Sequence, residues 1–132
     1  MARGVGDALT PVSLPACWLA LAEPAVSVPT ASIFAAAELT RDTPSAKIDV
    51  FSEGYGRNDL EVVAAAKFPA VAEALMALKA ISPTARMTGS GACAFAVFGT
   101  ESEARAALDA LPSSIRGRVV RTLARHPLAA FA

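Results

Sequence analysis

The chain has 132 residues, 54% of them hydrophobic and 18% charged, with 12 Lys and Arg balanced by 12 Asp and Glu. That is enough chain for one domain with a real core, and it is too apolar for a disordered segment. Zero net charge without a basic patch excludes nucleic acid and an acidic membrane surface as partners, and no run approaches the ~20 apolar residues of a membrane helix. Much of the apolar surplus is alanine, so the expected core is thin and leaves room for apolar surface that takes a partner.

Residues 1–13 hold Gly4, Gly6, Asp7, Thr10 and Pro11 and read as turn material, a connection from something earlier. Cys17 to Ala22, between Pro15 and Glu23-Pro24, reads as a first buried strand. The run Leu14–Ala22 is interrupted by Pro15, and Asp7 offsets Arg3 in its flank, which argues against a secretory signal. Pro29 and Thr30 mark a helix start, because proline suits the first turn and threonine can cap free N–H groups. Ile33, Phe34 and Ala37 would then share a face. Two readings stand for this helix: a short core-facing element, or an N-terminus that carries a hydroxyl and an aromatic ring to a ligand. Residues 38–57 form a long irregular connection, of a length that is often functional.

Asn58-Asp59-Leu60-Glu61 opens the next helix and has the form of a capping box. Leu60, Val63, Ala64 and Phe68 make its apolar stripe. Pro69 begins another helix with Val71, Leu75 and Leu78 on one face; Lys67 and Lys79 are expected in solvent. Ser82-Pro83 ends the helical region.

Arg86 to Phe98 follows as a short strand (85–87), a small-residue loop and an apolar strand (93–98) closed by Gly99. Gly89 and Gly91 bracket Ser90, so the backbone can turn tightly and present several N–H groups on one side, which suits an anion. Gly89-x-Gly91-x-x-Ala94 has the form of a dinucleotide fingerprint, but that motif opens a helix and this one opens a strand; a P-loop needs a lysine that is absent. A structural turn and an anion-binding loop both remain open. Thr100-Glu-Ser-Glu103 is another capping box, followed by Ala104, Ala107, Leu108 and Leu111 at helical spacing. Pro112 stops that helix. Val119 and Val120 lie in a last strand near 117–123. His126, before Pro127, has no base or metal partner in sequence and reads as structural.

The order strand, helices, strand, strand, helix, strand is the βαββαβ order of a ferredoxin-like plait, an α+β fold. The segment between Glu23 and Arg57 is a helical and loop insertion after its first strand. Two cysteines and one histidine make no zinc signature, no nucleophile elbow is present, and the carboxylates sit mostly at helix starts. No metal ligand is therefore expected. Cys17 and Cys93, each in an apolar run, read as buried free thiols of a reducing cytoplasm.

Several stretches together resemble one family. Gly4-Val-Gly-Asp-Ala-Leu-Thr-Pro-Val12, Pro24-Ala-Val-Ser-Val-Pro-Thr30 through Phe34, Asn58-Asp-Leu-Glu61, Phe68-Pro69 and Arg86-Met-Thr-Gly-Ser-Gly-Ala-Cys93 occur in the order found in the 4-diphosphocytidyl-2-C-methyl-D-erythritol kinases of the GHMP kinase superfamily. Each motif alone is weak; order and spacing over nearly the whole chain carry the resemblance. It implies a GHMP kinase C-terminal domain over residues 14–132, with 1–13 as the connection from an N-terminal lobe. It implies a cytoplasmic enzyme that uses ATP with Mg2+ to phosphorylate the 2-hydroxyl of 4-diphosphocytidyl-methylerythritol, in the non-mevalonate route to isoprenoid precursors. Thr88-Gly89-Ser90-Gly91 matches the third superfamily motif, a glycine loop near the phosphates. Thr30 and Phe34 match positions that contact the cytidine, the ring of Phe34 stacking on the base. Asn58 to Glu61 is expected to organise a helix start.

The family's catalytic lysine, its Gly-Ala-Asp-(Val/Ile)-Pro stretch with the catalytic aspartate, and its Gly-Leu-Gly-Gly-Gly-Ser-Ser nucleotide loop have no counterpart here. Val62 also stands where the family usually has proline. No catalytic residue is thus assigned, no cofactor is expected on this chain alone, and phosphoryl transfer is expected only with the missing N-terminal kinase lobe, because it depends on positioning and charge stabilisation that those parts supply. The competing expectation is a stand-alone binding or scaffolding plait, or a non-functional remnant.

Overall fold

The computed structural model describes residues 2–3, 8–9, 15–44 and 56–123. Four strands form one antiparallel sheet: β3 (Trp18–Glu23), β4 (Arg86–Met87), β5 (Ala94–Phe98) and β6 (Arg116–Arg121), in the spatial order β4-β5-β3-β6. The first and third strands of the unit are central, as the plait requires. Residues 2–3 (β1) and 8–9 (β2) form a separate two-stranded ladder with Ala2 opposite Leu9. That ladder replaces the turn expected there; two residues per strand are too few to leave an alternation in sequence.

Helices α3 (Pro69–Ile81) and α4 (Glu101–Asp109) pack on one face of the sheet. The floor of that layer is alanine. Ala20 pairs with Ala96 and Ala22 with Ala94 across β3 and β5, and all four are fully buried. Small side chains let the helices come close, and the larger residues of the helices and strand ends, Val71, Leu75, Leu78 and Met87, fill the space between the layers. Part of the alanine surplus is thus core, with Ala74, Ala104 and Ala107 of the helices also buried, while others such as Ala31, Ala66 and Ala110 stay exposed. At Gly117 in β6 a Cβ would stand 2.6 Å from Leu108 Cδ2 and 2.8 Å from the Leu21 carbonyl oxygen, so only glycine fits under α4.

Helix α2 (Leu60–Lys67) ends at Phe68, whose extended backbone (φ −127°, ψ 96°) is the conformation favoured before a proline, and Pro69 then takes the first position of α3. At α4 the expected box is complete: Thr100 Oγ1 accepts from the Glu103 N–H at 3.2 Å, and the Thr100 N–H donates to Glu103 Oε2 at 3.0 Å. Thr100→Ala is expected to lower stability by about 1 kcal/mol, as loss of an N-cap does, read from the midpoint of urea unfolding.

The second expected box, at 58–61, does not form. Asn58 Oδ1 accepts from the Leu60 N–H at 3.1 Å, but Glu61 does not reach back to Asn58. Its carboxylate accepts from the Met87 N–H at 2.8 Å and pairs with Lys79 at 2.6 Å. A better partner two elements further along the chain wins over the local one, and Lys79 is half-exposed and paired, not simply solvated.

Helix α1 (Thr30–Phe34) starts where proline and threonine place it, with a different rotation. Ile33 and Ala36, three apart, face the core, while Phe34 (55% exposed) and Ala37, also three apart, face out. Thr30 makes no cap hydrogen bond. Cys17 and Cys93 are free but only half-buried, because each lies just outside its strand. Strand ends differ from the expected ones by one or two residues, β6 running from 116 to 121. Residues 45–55 of the long connection, and His126, lie outside the described residues. Among the described residues no helix is long and apolar enough to cross a membrane.

Candidate functional site

The Thr88–Cys93 loop joins β4 to β5, two antiparallel neighbours in the sheet. The Thr88 N–H donates to the Cys93 carbonyl at 2.9 Å and the Gly91 N–H to the Thr88 carbonyl at 3.1 Å, which closes the turn. Gly89 (φ +57°) and Gly91 (φ +100°) both take the left-handed region, where a side chain is strained. A Cβ on Gly91 would also press on Met87 Sδ at 3.1 Å and Val28 Cγ2 at 3.4 Å. The Gly89 and Ser90 N–H groups find no acceptor among the described residues. The strand that follows the loop bears out the exclusion of a dinucleotide fingerprint.

Two of the residues singled out in sequence meet here. Ser90 Oγ lies 2.8 Å from Thr30 Oγ1, across 60 residues of chain. One turn later in α1, Phe34 turns its ring outward over a groove of about 840 Å³. Phe34, Thr88 and Gly89 line that groove with Arg41, Asn58 and Phe95, among others; Thr30, Ser90 and Gly91 stand outside its lining.

The charge in the groove is mostly positive, with the guanidinium groups of Arg41, Arg57 and Arg86 against the carboxylate of Asp59. Each cation is also engaged by the protein. Arg41 donates to the carbonyls of Phe34 (2.6 Å), Ala36 (3.2 Å) and Leu39 (3.0 Å), which closes the end of α1 beneath Phe34. Arg57 pairs with Asp59 at 2.6 Å. Arg86 lies over the Phe95 ring, 5.2 Å from its centroid, and donates to the Gly56 carbonyl at 3.0 Å. The Asp59 carboxyl is held below its usual range, first by the neighbouring Thr43 hydroxyl; desolvation opposes this, and Arg57 adds to the lowering. That hydroxyl makes no hydrogen bond of full geometry, so its influence is that of a nearby dipole. Among the described residues there is no group of three or more His, Cys, Asp and Glu that could hold a metal.

Sequence reasoning missed Asn58 and Arg41 as parts of this site. Asn58 Nδ2 donates to the Met87 carbonyl at 3.0 Å and the Gly89 carbonyl at 2.7 Å, which ties the start of α2 to the glycine loop. Both partners lie about thirty positions downstream, beyond any local spacing rule. An asparagine at a helix start signals a cap, and it serves as one; its second use is visible only in three dimensions.

The sequence profile described as GHMP kinases C terminal matches residues 35–116. The chain belongs to the GHMP kinase C-terminal family. Among curated relatives, a protein of Thiobacillus denitrificans named 4-diphosphocytidyl-2-C-methyl-D-erythritol kinase is 52% identical over 130 residues, which is 98% of this chain and 46% of the relative. A protein of the same name from Cupriavidus metallidurans is 50% identical over 136 residues, 99% of this chain and 47% of the relative. A crystal structure of 4-(cytidine 5'-diphospho)-2C-methyl-D-erythritol kinase superposes with a TM-score of 0.74 at 26% identity, covering 91% of this chain and 48% of that one. This GHMP kinase C-terminal chain therefore spans about half the length of the relatives it matches. The βαββαβ plait with its four-stranded antiparallel sheet agrees with that family.

Proposed function

We propose that this chain is the substrate-side part of a 4-diphosphocytidyl-2-C-methyl-D-erythritol kinase, the enzyme that moves the γ-phosphoryl group of ATP to the 2-hydroxyl of 4-diphosphocytidyl-methylerythritol. The observation that carries the reading is the convergence of α1 and the glycine loop, joined by the Thr30–Ser90 hydroxyl contact, on one groove. A cytidine diphosphate group needs a flat apolar surface for its base and donors for its phosphates, side by side. Phe34 offers the surface. The Thr88–Gly91 loop offers uncommitted backbone donors, and the arginines around the groove add a field that favours anions. Thr30 holds the loop through its contact with Ser90. The names of the relatives select the cytidine substrate among nucleoside diphosphates.

In this reading residues 14–132 form the lobe and residues 1–13 lead in from a second part, which corresponds to the rest of the relatives' length. That part supplies the catalytic residues and holds ATP; ATP brings the group to be transferred. The described residues of this chain offer no metal-ligand cluster for the Mg2+ that accompanies it, and no metal-borne step is assigned to them. The chain's own role is to bind and orient the acceptor. Two free thiols and a net charge of zero accord with a cytoplasmic location, away from membranes and nucleic acids.

The test is complementation in vitro. The chain is mixed with the portion of the Thiobacillus denitrificans relative that it does not match, and phosphoryl transfer from labelled ATP to the cytidine substrate is followed. Transfer by the mixture and none by either piece is the expected result. Full activity of the chain alone would overturn the division of labour. A mixture that assembles but neither binds nor phosphorylates the cytidine substrate would favour a stand-alone binding plait.

A further inference from the structure

We infer that Asn58 is a positioning residue that sets the direction of the glycine-loop amides; this rests on the reading of Thr88–Gly91 as an anion-binding loop. Its carboxamide is used at both ends. Oδ1 accepts from the Leu60 N–H at 3.1 Å and so belongs to the start of α2. Nδ2 donates to two carbonyl oxygens of the loop strand, Met87 at 3.0 Å and Gly89 at 2.7 Å. Three residues on, Glu61 accepts the Met87 N–H at 2.8 Å, so the same helix turn grips both polar groups of Met87.

The consequence follows from peptide planarity. In a trans peptide the C=O and the following N–H point in opposite directions. Drawing the Gly89 carbonyl toward Asn58 therefore turns the Ser90 N–H to the opposite side. That N–H, with the Gly89 N–H, has no acceptor among the described residues. Without Asn58 the left-handed glycine pair leaves the loop free to rotate a carbonyl oxygen toward the anion, where like partial charges repel. Asn58 thus keeps the acceptors of the loop turned one way and its donors the other.

The test separates the two ends of the carboxamide. Asn58→Ser is neutral and still caps the Leu60 N–H, but its side chain is too short to reach the Met87 and Gly89 carbonyls together. Asn58→Asp also keeps the cap, and sets a carboxylate against both carbonyl oxygens. Backbone amide NMR of the full chain is recorded with and without inorganic pyrophosphate. In ligand-free N58S the Gly89 and Ser90 signals are expected to move while those of α2 and α4 stay in place. Pyrophosphate affinity is expected to fall roughly tenfold, the scale of a lost hydrogen-bonded arrangement, and further in N58D. Unchanged Gly89 and Ser90 signals in ligand-free N58S would overturn the positioning role by itself. So would changes spread evenly through α2 and the sheet, which mark a purely structural residue. A wild-type chain whose loop amides ignore pyrophosphate would instead overturn the anion reading beneath the proposal.

Discussion

Phe34→Ala is expected to weaken binding of the cytidine diphosphate substrate by about one to two orders of magnitude and to leave the fold intact. Stacking of a base on an aromatic ring contributes about 1–3 kcal/mol by alanine substitution, and each 1.4 kcal/mol is about tenfold in affinity. The ring is 55% exposed and lies on the outer face of α1, so its removal opens no core cavity, and the change in stability stays within about 0.5 kcal/mol, as for most surface sites. Phe34→Tyr keeps the face and is expected to retain most of the affinity. Titration calorimetry with the complementing half present, paired with thermal unfolding of the same samples, checks both halves of the statement. Unchanged affinity in Phe34→Ala would remove the ring from the site.

Local signals made much of this fold legible, and contacts between distant residues made the rest illegible. Pro69 and the Thr100–Glu103 pair announce helix starts by chemistry that acts within four residues, and both elements begin there. The run Ala92 to Phe98, punctuated by Gly99, holds a strand because its apolar members are buried from one side and half-covered from the other. Thr88–Gly91 was legible as a turn with free amides, because left-handed glycines at 89 and 91 leave few alternatives. The rotation of α1 was not legible. Around the end of this five-residue helix the run Ile33-Phe34-Ala35-Ala36-Ala37 offers two apolar faces of equal merit, and the choice rests on packing against α2, which lies after the long connection. Asn58 and Glu61 have the form of a local box, yet both reach across to β4 and the glycine loop. A sequence rule that counts to four cannot see a partner 26 to 31 positions away.

Those long-range contacts join the parts of the candidate site into one unit. Lys79 of α3 holds Glu61 of α2, Glu61 holds Met87 of β4, Asn58 holds Gly89, and Ser90 meets Thr30 of α1. Each link alone is small: about 1 kcal/mol for the neutral hydrogen bonds of Asn58 and Ser90, about 1.5–3 kcal/mol for the one to the Glu61 carboxylate, and less than about 1 kcal/mol for its half-exposed pair with Lys79. Their value lies in order: the ring of Phe34 and the loop amides keep a fixed separation before any ligand arrives, so less entropy is lost on binding. Arg41 completes the unit from the other end, since three carbonyls at the close of α1 share its guanidinium.

The neighbouring residue is expected to respond in the opposite sense. Ile33 is fully buried beneath the ring-bearing face, and Ile33→Ala is expected to cost about 2–5 kcal/mol, the sum of lost transfer energy and the cavity left behind. At about 4 °C per kcal/mol, between the values for smaller and larger domains, the melting midpoint should fall by roughly 8–20 °C. Ile33→Val removes one methyl group and should cost only about 0.5–1.5 kcal/mol. Helix α1 has five residues, far too few to persist without tertiary contacts, and Ile33 with Ala36 supplies its core face. The first amides to lose protection from hydrogen exchange in Ile33→Ala should therefore be those of α1, ahead of α3 and the sheet. Substrate affinity should fall with them, because Thr30 and Phe34 are carried by the same turn. Phe34→Ala separates binding from stability, whereas Ile33→Ala loses both together. If Ile33→Ala keeps wild-type stability, or loosens the sheet before α1, then α1 is not anchored by its buried face, and the fixed separation of ring and loop must come from Arg41 and the Thr30–Ser90 contact.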